Sequence, residues 1–458
     1  MQFAHFVTRV SEGRSILERG EGDFVDARIE SVRTLRFEAD LGGSKNWREQ
    51  NRLGAGTRVL RGDTWGFAAM EGPPDWKAMR TRAVCLARAA GAGTTKNVTL
   101  APVEPLSLLE QGTDELRFPS PEEVLGLIEE ARDVLPSVRS LLVRGQFHDG
   151  WRGVISSEGA LAVKPVRAGL IALSAVVPTF GGGVTTLPLY AGGARGCHVE
   201  AIRSQFVAAR ELAEQLASAR RLSPSRGQVV LSPQIAALLI HEALGHLCEA
   251  DRLPRNGGGR DLRGMAVGIT SLNVVDCAER RGASGSELFD DEAVLCRPAP
   301  LIVAGRWEGL LHTRATASAF GVIPTGNARI TAWSFQPLCR MRVTELACGP
   351  TDPGDLLGEV RDGIYLDHPH GGHVRGSRFR IQAATAWRIR SGRLVEPLTN
   401  AVLVGSPLEV LAKIGAIGSD QKLTDGVGWC SRGEQVDLPV SMAAPTVWLR
   451  EAELDAGE

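Results

Sequence analysis

From residue 25 to 39 the chain alternates in a strand-like way, with Val32, Leu35 and Phe37 prominent, which predicts a β-strand. Residues 57–70 divide into two short strands about a turn at Arg61-Gly62-Asp63. Further strand-like runs occupy 140–143, 153–157, 171–177, 228–232, 271–275, 301–303, 379–389 and 401–404. The period becomes helical in three places. Residues 121–131 open after Ser120, which predicts an N-cap with Pro121 at the first helical position and Glu123 completing a capping box. Residues 201–222 form an amphipathic pattern through Phe206, Leu212, Leu216 and Ala219, and this predicts a helix leading from the N-terminal to the C-terminal half. The third helix starts at Ser232 or Pro233 and its apolar body runs to Cys248. Pro353-Gly354 and Gly371-Gly372 predict loops. The order of elements predicts an α+β protein. A mixed N-terminal α/β region, residues 1–200, precedes a largely antiparallel β domain, residues 201–458, that carries the third helix.

Composition narrows the function classes. A chain of 458 residues is long enough for two or three domains and a sizeable core. Its 53 glycines and few tyrosines favour turns and strands over a helical bundle. A net charge of −1 argues against a dedicated nucleic-acid binder or a polybasic membrane protein. No apolar run approaches the ~20 residues that span a bilayer. Residues 1–18 mix apolar and charged positions and lack a secretory apolar core, so a cytoplasmic protein is expected. Eight cysteines stand at 85, 197, 248, 277, 296, 339, 348 and 430 with no Cys-x-x-Cys pair, which fits a reducing compartment.

Chemistry concentrates in His241-Glu242-Ala243-Leu244-Gly245-His246, at the end of an apolar helical run. Neutral imidazoles ligate zinc, and a neighbouring non-ligating Glu can take a proton from an activated water. The histidines are five apart rather than four. Five steps of a regular helix separate them by about 140°, so they cannot meet at one ion without distortion. One π-type turn would realign them, and Gly245 is expected to ease it. Cys248, two residues beyond His246, faces away from it on a helix and is expected to be a buried thiol.

This motif, followed by Glu249 and Asp251, resembles the signature of the TldD/PmbA metallopeptidase family, on its TldD-like, metal-bearing branch. Gly54-Ala55-Gly56-Thr57-Arg58-Val59-Leu60, Trp65-Gly66-Phe67-Ala68, Thr325-Gly326-Asn327-Ala328-Arg329, Gly363-Ile364-Tyr365 and Asp425-Gly426-Val427-Gly428-Trp429-Cys430 are similar to further family blocks. The resemblance implies zinc held by His241, His246 and Cys430, with Glu242 as general base. It implies peptides bound as extended strands, and pairing with a homologous metal-less subunit in a heterodimer, or self-pairing. It also allows processing of a precursor peptide. A non-catalytic scaffold subunit and a zinc amidase or deacylase are the competing readings. The chain departs from the family at Pro439-Val440-Ser441-Met442-Ala443-Ala444-Pro445-Thr446 and at Asp290-Asp291-Glu292-Ala293.

Other clusters have plain readings beside the chemical ones. Asp367-His368-Pro369-His370-Gly371-Gly372-His373 is a second metal site, a substrate-contacting loop or a polar loop. Asp290-Asp291-Glu292 is a hard-cation site or a solvated turn. Arg329 and Arg340 orient a peptide or make structural ion pairs. Gly54-Ala55-Gly56 lacks the third glycine and the following helix of a dinucleotide fingerprint.

Overall fold

The computed structural model describes residues 2–17, 24–91, 98–112, 116–194, 199–253, 262–426 and 429–457. Cys197, Val427 and Gly428 lie outside the described residues. The chain is α+β. In the N-terminal sheet, Thr64–Glu71, Lys45–Arg61, Phe24–Asp40, Ser140–Ser156 and Leu161–Pro178 lie side by side and antiparallel. The outer edge of the last strand takes Ser107–Leu109 in parallel and Val184–Gly193 in antiparallel pairing.

The alternation from 25 to 39 decides which face packs beneath the helices. Val25, Ala27 and Ile29 pack beneath the helices Phe3–Leu17 and Trp76–Ala90. Leu35, Phe37 and Ala39, on the same face, pack beneath Pro121–Val134, Val199–Arg203 and Phe206–Leu216. Ser120 and Glu123 make the expected reciprocal cap. The runs 140–143 and 153–157 are the two ends of one strand. Its polar, glycine-containing middle lacks an apolar rhythm, yet is paired on both sides. The expected helix 201–222 is broken at 204–205. There Ser204 Oγ and Gln205 Nε2 both donate to the Ala201 carbonyl and compete for the helical acceptor.

Two largely antiparallel sheets build the C-terminal part. One runs in the order Ile414–Ile417, Val447–Ala456, Ser225–Leu231, Asp362–Arg375, Arg378–Arg390, Arg393–Gly405, Arg220–Arg221. Glu453 pairs with Arg226 on one side and Val404 on the other, so this sheet closes on itself. The other contains Arg306–Trp307, Ala299–Val303, Val274–Cys277, Val343–Leu346, Ser441–Ala444 and Lys422–Thr424. The motif helix, starting at Pro233, packs against both sheets. Between 233 and 248 only Gln234 and Leu247 are not buried, which is why the run is apolar all round.

Two expected loops are regular structure. Pro353-Gly354 opens the helix Pro353–Gly358, capped by Asp352. Gly371-Gly372 lie within the strand Asp362–Arg375, just beyond a register shift at Pro369. Among the described residues, no helix is long and apolar enough to cross a membrane.

Asp290-Asp291-Glu292 is neither a solvated turn nor an open cation site. All three residues are buried against the charged face of the N-terminal sheet. Asp291 takes Arg152 at 2.8 Å and Lys164 at 3.1 Å, while Glu292 pairs with Arg58. Asp26 is chelated by Arg28 and Arg58, and Glu287 by Lys164 and Arg329. Burial opposes the charge on Asp291, but Arg152 and Lys164 outweigh it and hold its carboxyl well below the usual range.

Candidate metal centre

Ser232 caps the motif helix by accepting from the Ile235 N–H, and Pro233 sits in its first turn. The α-helix runs to Leu239, becomes a π-helix over Ile240–Gly245, and ends as a 3₁₀ turn over His246–Cys248. The backbone N–H of His246 donates to the carbonyl of His241, five residues back. The distortion required by the histidine spacing is therefore present. Gly245 does not ease it through unusual backbone angles, since its φ is −55°. A Cβ at Gly245 would instead overlap Met341 Sδ, so close packing is what demands glycine there.

The π-turn brings the imidazoles together, with ring centroids 5.2 Å apart. Cys430 arrives from a distant hairpin, Cys430–Arg432 paired with Gln435–Leu438, and its Sγ lies 3.5 Å from His246 Nε2. One donor atom from each of His241, His246 and Cys430 falls within 4.8 Å of the others, and all three residues are buried. Burial opposes ionisation of the Cys430 thiol, but His241 and His246 hold it well below its ordinary value. Burial likewise opposes the charge on His246, but hydrogen bonds that its ring donates to Cys430 and Glu249 raise its pKa to about 10. His241 Nδ1 is buried without a hydrogen-bond partner among the described residues. Two imidazoles and a thiolate, one ring nitrogen orphaned, form a donor set that suits zinc rather than magnesium or calcium.

Glu242 borders this cluster, with Oε2 3.9 Å from His246 Nε2. A Cβ at Gly372 would come 3.1 Å from Glu242 Cγ, so glycine lets the strand approach the carboxylate closely. A cleft of about 330 Å³ opens over the cluster, lined by His241, Glu242, Gly371, Gly372, His373 and Trp429 among others.

In the sequence Glu249 and Asp251 stand out only as the acids that follow the motif, and their supporting roles are not legible there. Glu249 is fully buried, its Oε2 3.2 Å from His246 Nδ1 and 2.6 Å from Arg252 Nε. Asp251 accepts from the Cys339 N–H and from Arg432, which lies on the Cys430 hairpin. Arg340 donates to the Cys430 carbonyl. The signal was the pair of acids just beyond the motif; the partners of Asp251 are remote in sequence, while His246 and Arg252 stand three residues from Glu249. Arg329 is likewise structural, donating to the Met341 and Pro439 carbonyls. Cys248 is a buried thiol in the core, pushed far above its ordinary value by burial. The histidines of 368–373 do not converge. His373 lines the cleft, while His368 Nδ1 meets Thr385 Oγ1 at 3.0 Å.

The family model of the PmbA/TldA metallopeptidase C-terminal domain matches residues 224–455. A metalloprotease of Synechocystis sp. is 31% identical over 95% of this chain and 92% of its own. A zinc metalloprotease TldD homolog of Saccharolobus solfataricus is 29% identical over 51% of this chain and 52% of its own. The solved structure of TldE from Thermococcus kodakarensis shares the fold, with a TM-score of 0.72 at 15% identity over 99% of both chains. Sequence likeness along nearly the whole chain and a matched C-terminal domain together place it in the TldD/PmbA metallopeptidase family, on the TldD-like branch.

Proposed function

We propose that this chain is a zinc-dependent peptidase acting on peptides or unfolded segments held as extended strands. The observation that carries this reading is the convergence of His241, His246 and Cys430 within 4.8 Å, beside Glu242 on the floor of an open cleft. These three side chains would hold the zinc, which supplies a Lewis acid that acidifies water and polarises a peptide carbonyl. Glu242 takes the proton of the attacking water and passes it to the leaving amine. Glu249 fixes the ring orientation of His246 from behind.

Substrate would lie along the strand Asp362–Arg375. That strand pairs with Ser225–Leu231 only through Leu366, and beyond it no further strand pairing occurs on that side among the described residues. Its glycines 371 and 372 pass the cleft, leaving backbone groups for an extended peptide. Such binding demands little of side chains and excludes folded proteins. The same reading has a cytoplasmic protein that pairs with a homologous metal-less subunit or with a second copy, binds no nucleic acid, and divides at 200/201 into an N-terminal α+β domain and a C-terminal metallopeptidase domain.

Digestion of a mixed peptide pool by the purified chain, with and without chelator, tests the proposal. Cleavage should stop with chelator and return with zinc. No cleavage under either condition favours a scaffold subunit, and turnover confined to acylated side chains favours an amidase.

A further inference from the structure

A second cleft of about 350 Å³ lies where the N-terminal sheet meets the motif helix, lined by Leu189, Tyr190, Leu212, Gln234, Pro369 and Trp387 among others. Its floor is apolar, since Leu189, Leu212 and Pro369 are buried, while Tyr190 and Trp387 are only half-buried. Nothing in the proposed chemistry uses it.

Its position relative to the metal cluster follows from two elements that run together. Ser232 donates to the Leu366 carbonyl where the helix begins, and Glu242 lies against Gly372 near its end. Helix and strand therefore advance in the same direction. Gln234, Leu238 and His241 share one helical stripe at i, i+4 and i+7; the first lines the second cleft and the other two line the metal cleft. Along the strand, Pro369 and its neighbour His368 border the second cleft and Gly371 and Gly372 the first. Seven helical residues advance about 10 Å and four strand residues about 13 Å. An extended peptide covers that distance in three to four residues at ~3.3 Å each.

We propose that this second cleft is a specificity pocket that takes a bulky aromatic side chain of the peptide substrate, three to four residues from the bond that is cut. The inference rests on the peptidase reading above. Continuity of the cleft with the open strand edge names a substrate side chain as the occupant, and the apolar, aromatic floor names its chemistry. Glutamines 205, 215 and 234 ring the pocket, so a tyrosine hydroxyl would also be accommodated.

The test uses the full-length, zinc-loaded chain on a peptide library whose cleavage sites are read by mass spectrometry. Aromatic residues should be enriched at one position three to four residues from the cut. Trp387→Ala removes part of the floor. Gln215→Trp fills the pocket from an exposed helical position, so that folding is not at risk. Each variant should lower kcat/KM roughly tenfold or more for peptides with phenylalanine there, and leave those with alanine there unchanged. Equilibrium binding of the same phenylalanine and alanine peptides to Glu242→Gln separates the two readings. Binding that discriminates without any wild-type cleavage upholds the pocket and removes the peptidase. Cleavage or binding with no discrimination, in both wild type and Gln215→Trp, overturns the pocket, and absence of both cleavage and binding overturns both.

Discussion

Glu249 Oε2 sits 3.2 Å from Nδ1 of His246, on the opposite side of the ring from Cys430. The carboxylate is fully buried and also holds Arg252, so the imidazole is fixed in orientation and its Nε2 is turned to the cluster. Glu249→Gln should therefore lower zinc affinity about 10–100-fold, the usual cost of losing such a partner. Competition titration with a fluorescent chelator measures it, and wild-type affinity would remove Glu249 from the site's support.

One zinc per chain is expected, with Cys430 supplying the thiolate. Metal analysis of Cys430→Ser should show most of the zinc gone. Full retention would exclude Cys430 as a ligand.

Glu242→Gln keeps the size of the side chain but cannot accept a proton. Zinc content should match wild type, and turnover of a cleaved peptide should fall roughly 10²–10⁴-fold. Near-normal turnover would mean that another group carries the proton.

Asp291 is fully buried between Arg152 and Lys164. Asp291→Ala leaves two buried cations short of a partner, and unfolding free energy should fall by about 3–5 kcal/mol. Urea denaturation reads the change. A loss below ~1 kcal/mol would show that water replaces the carboxylate, contrary to the packing described.

His312 is buried against Phe320 and Thr316, and burial lowers its pKa to about 4. A histidine lowered on folding contributes stability that is present above the unfolded value near 6.5 and lost as pH falls through the folded value. His312→Asn should flatten the decline between pH 6.5 and 4, where the wild type loses up to about 1.4 kcal/mol per unit from this group. Parallel slopes for the two proteins in urea titrations at several pH values would contradict the assignment.

The local elements of the site were written in the sequence. Two histidines five apart that must face one point force a π-turn, and His246 donating to the His241 carbonyl is that turn. The alternation at 25–39 likewise specified a strand and the apolar face that packs beneath helices, because period-two patterning depends only on neighbouring residues. The capping box at Ser120 and Glu123 is equally local.

Tertiary structure decided what depends on partners far along the chain. Cys430 is 184 residues from His246, and no local pattern joins them; only the resemblance suggested the pairing, and folding of the hairpin brings the thiol within 3.5 Å. Asp290-Asp291-Glu292 resembles a solvated turn in sequence, because the cations that neutralise it, Arg58, Arg152 and Lys164, stand on three separate strands. Gly371 and Gly372 read as a loop because glycine signals turns locally, yet both lie in a strand, where Gly371 takes a φ of 127° and a Cβ at Gly372 would crowd Glu242 Cγ at 3.1 Å. Periodicity and spacing fix what neighbouring residues do, while burial and charge compensation are settled only when distant strands meet.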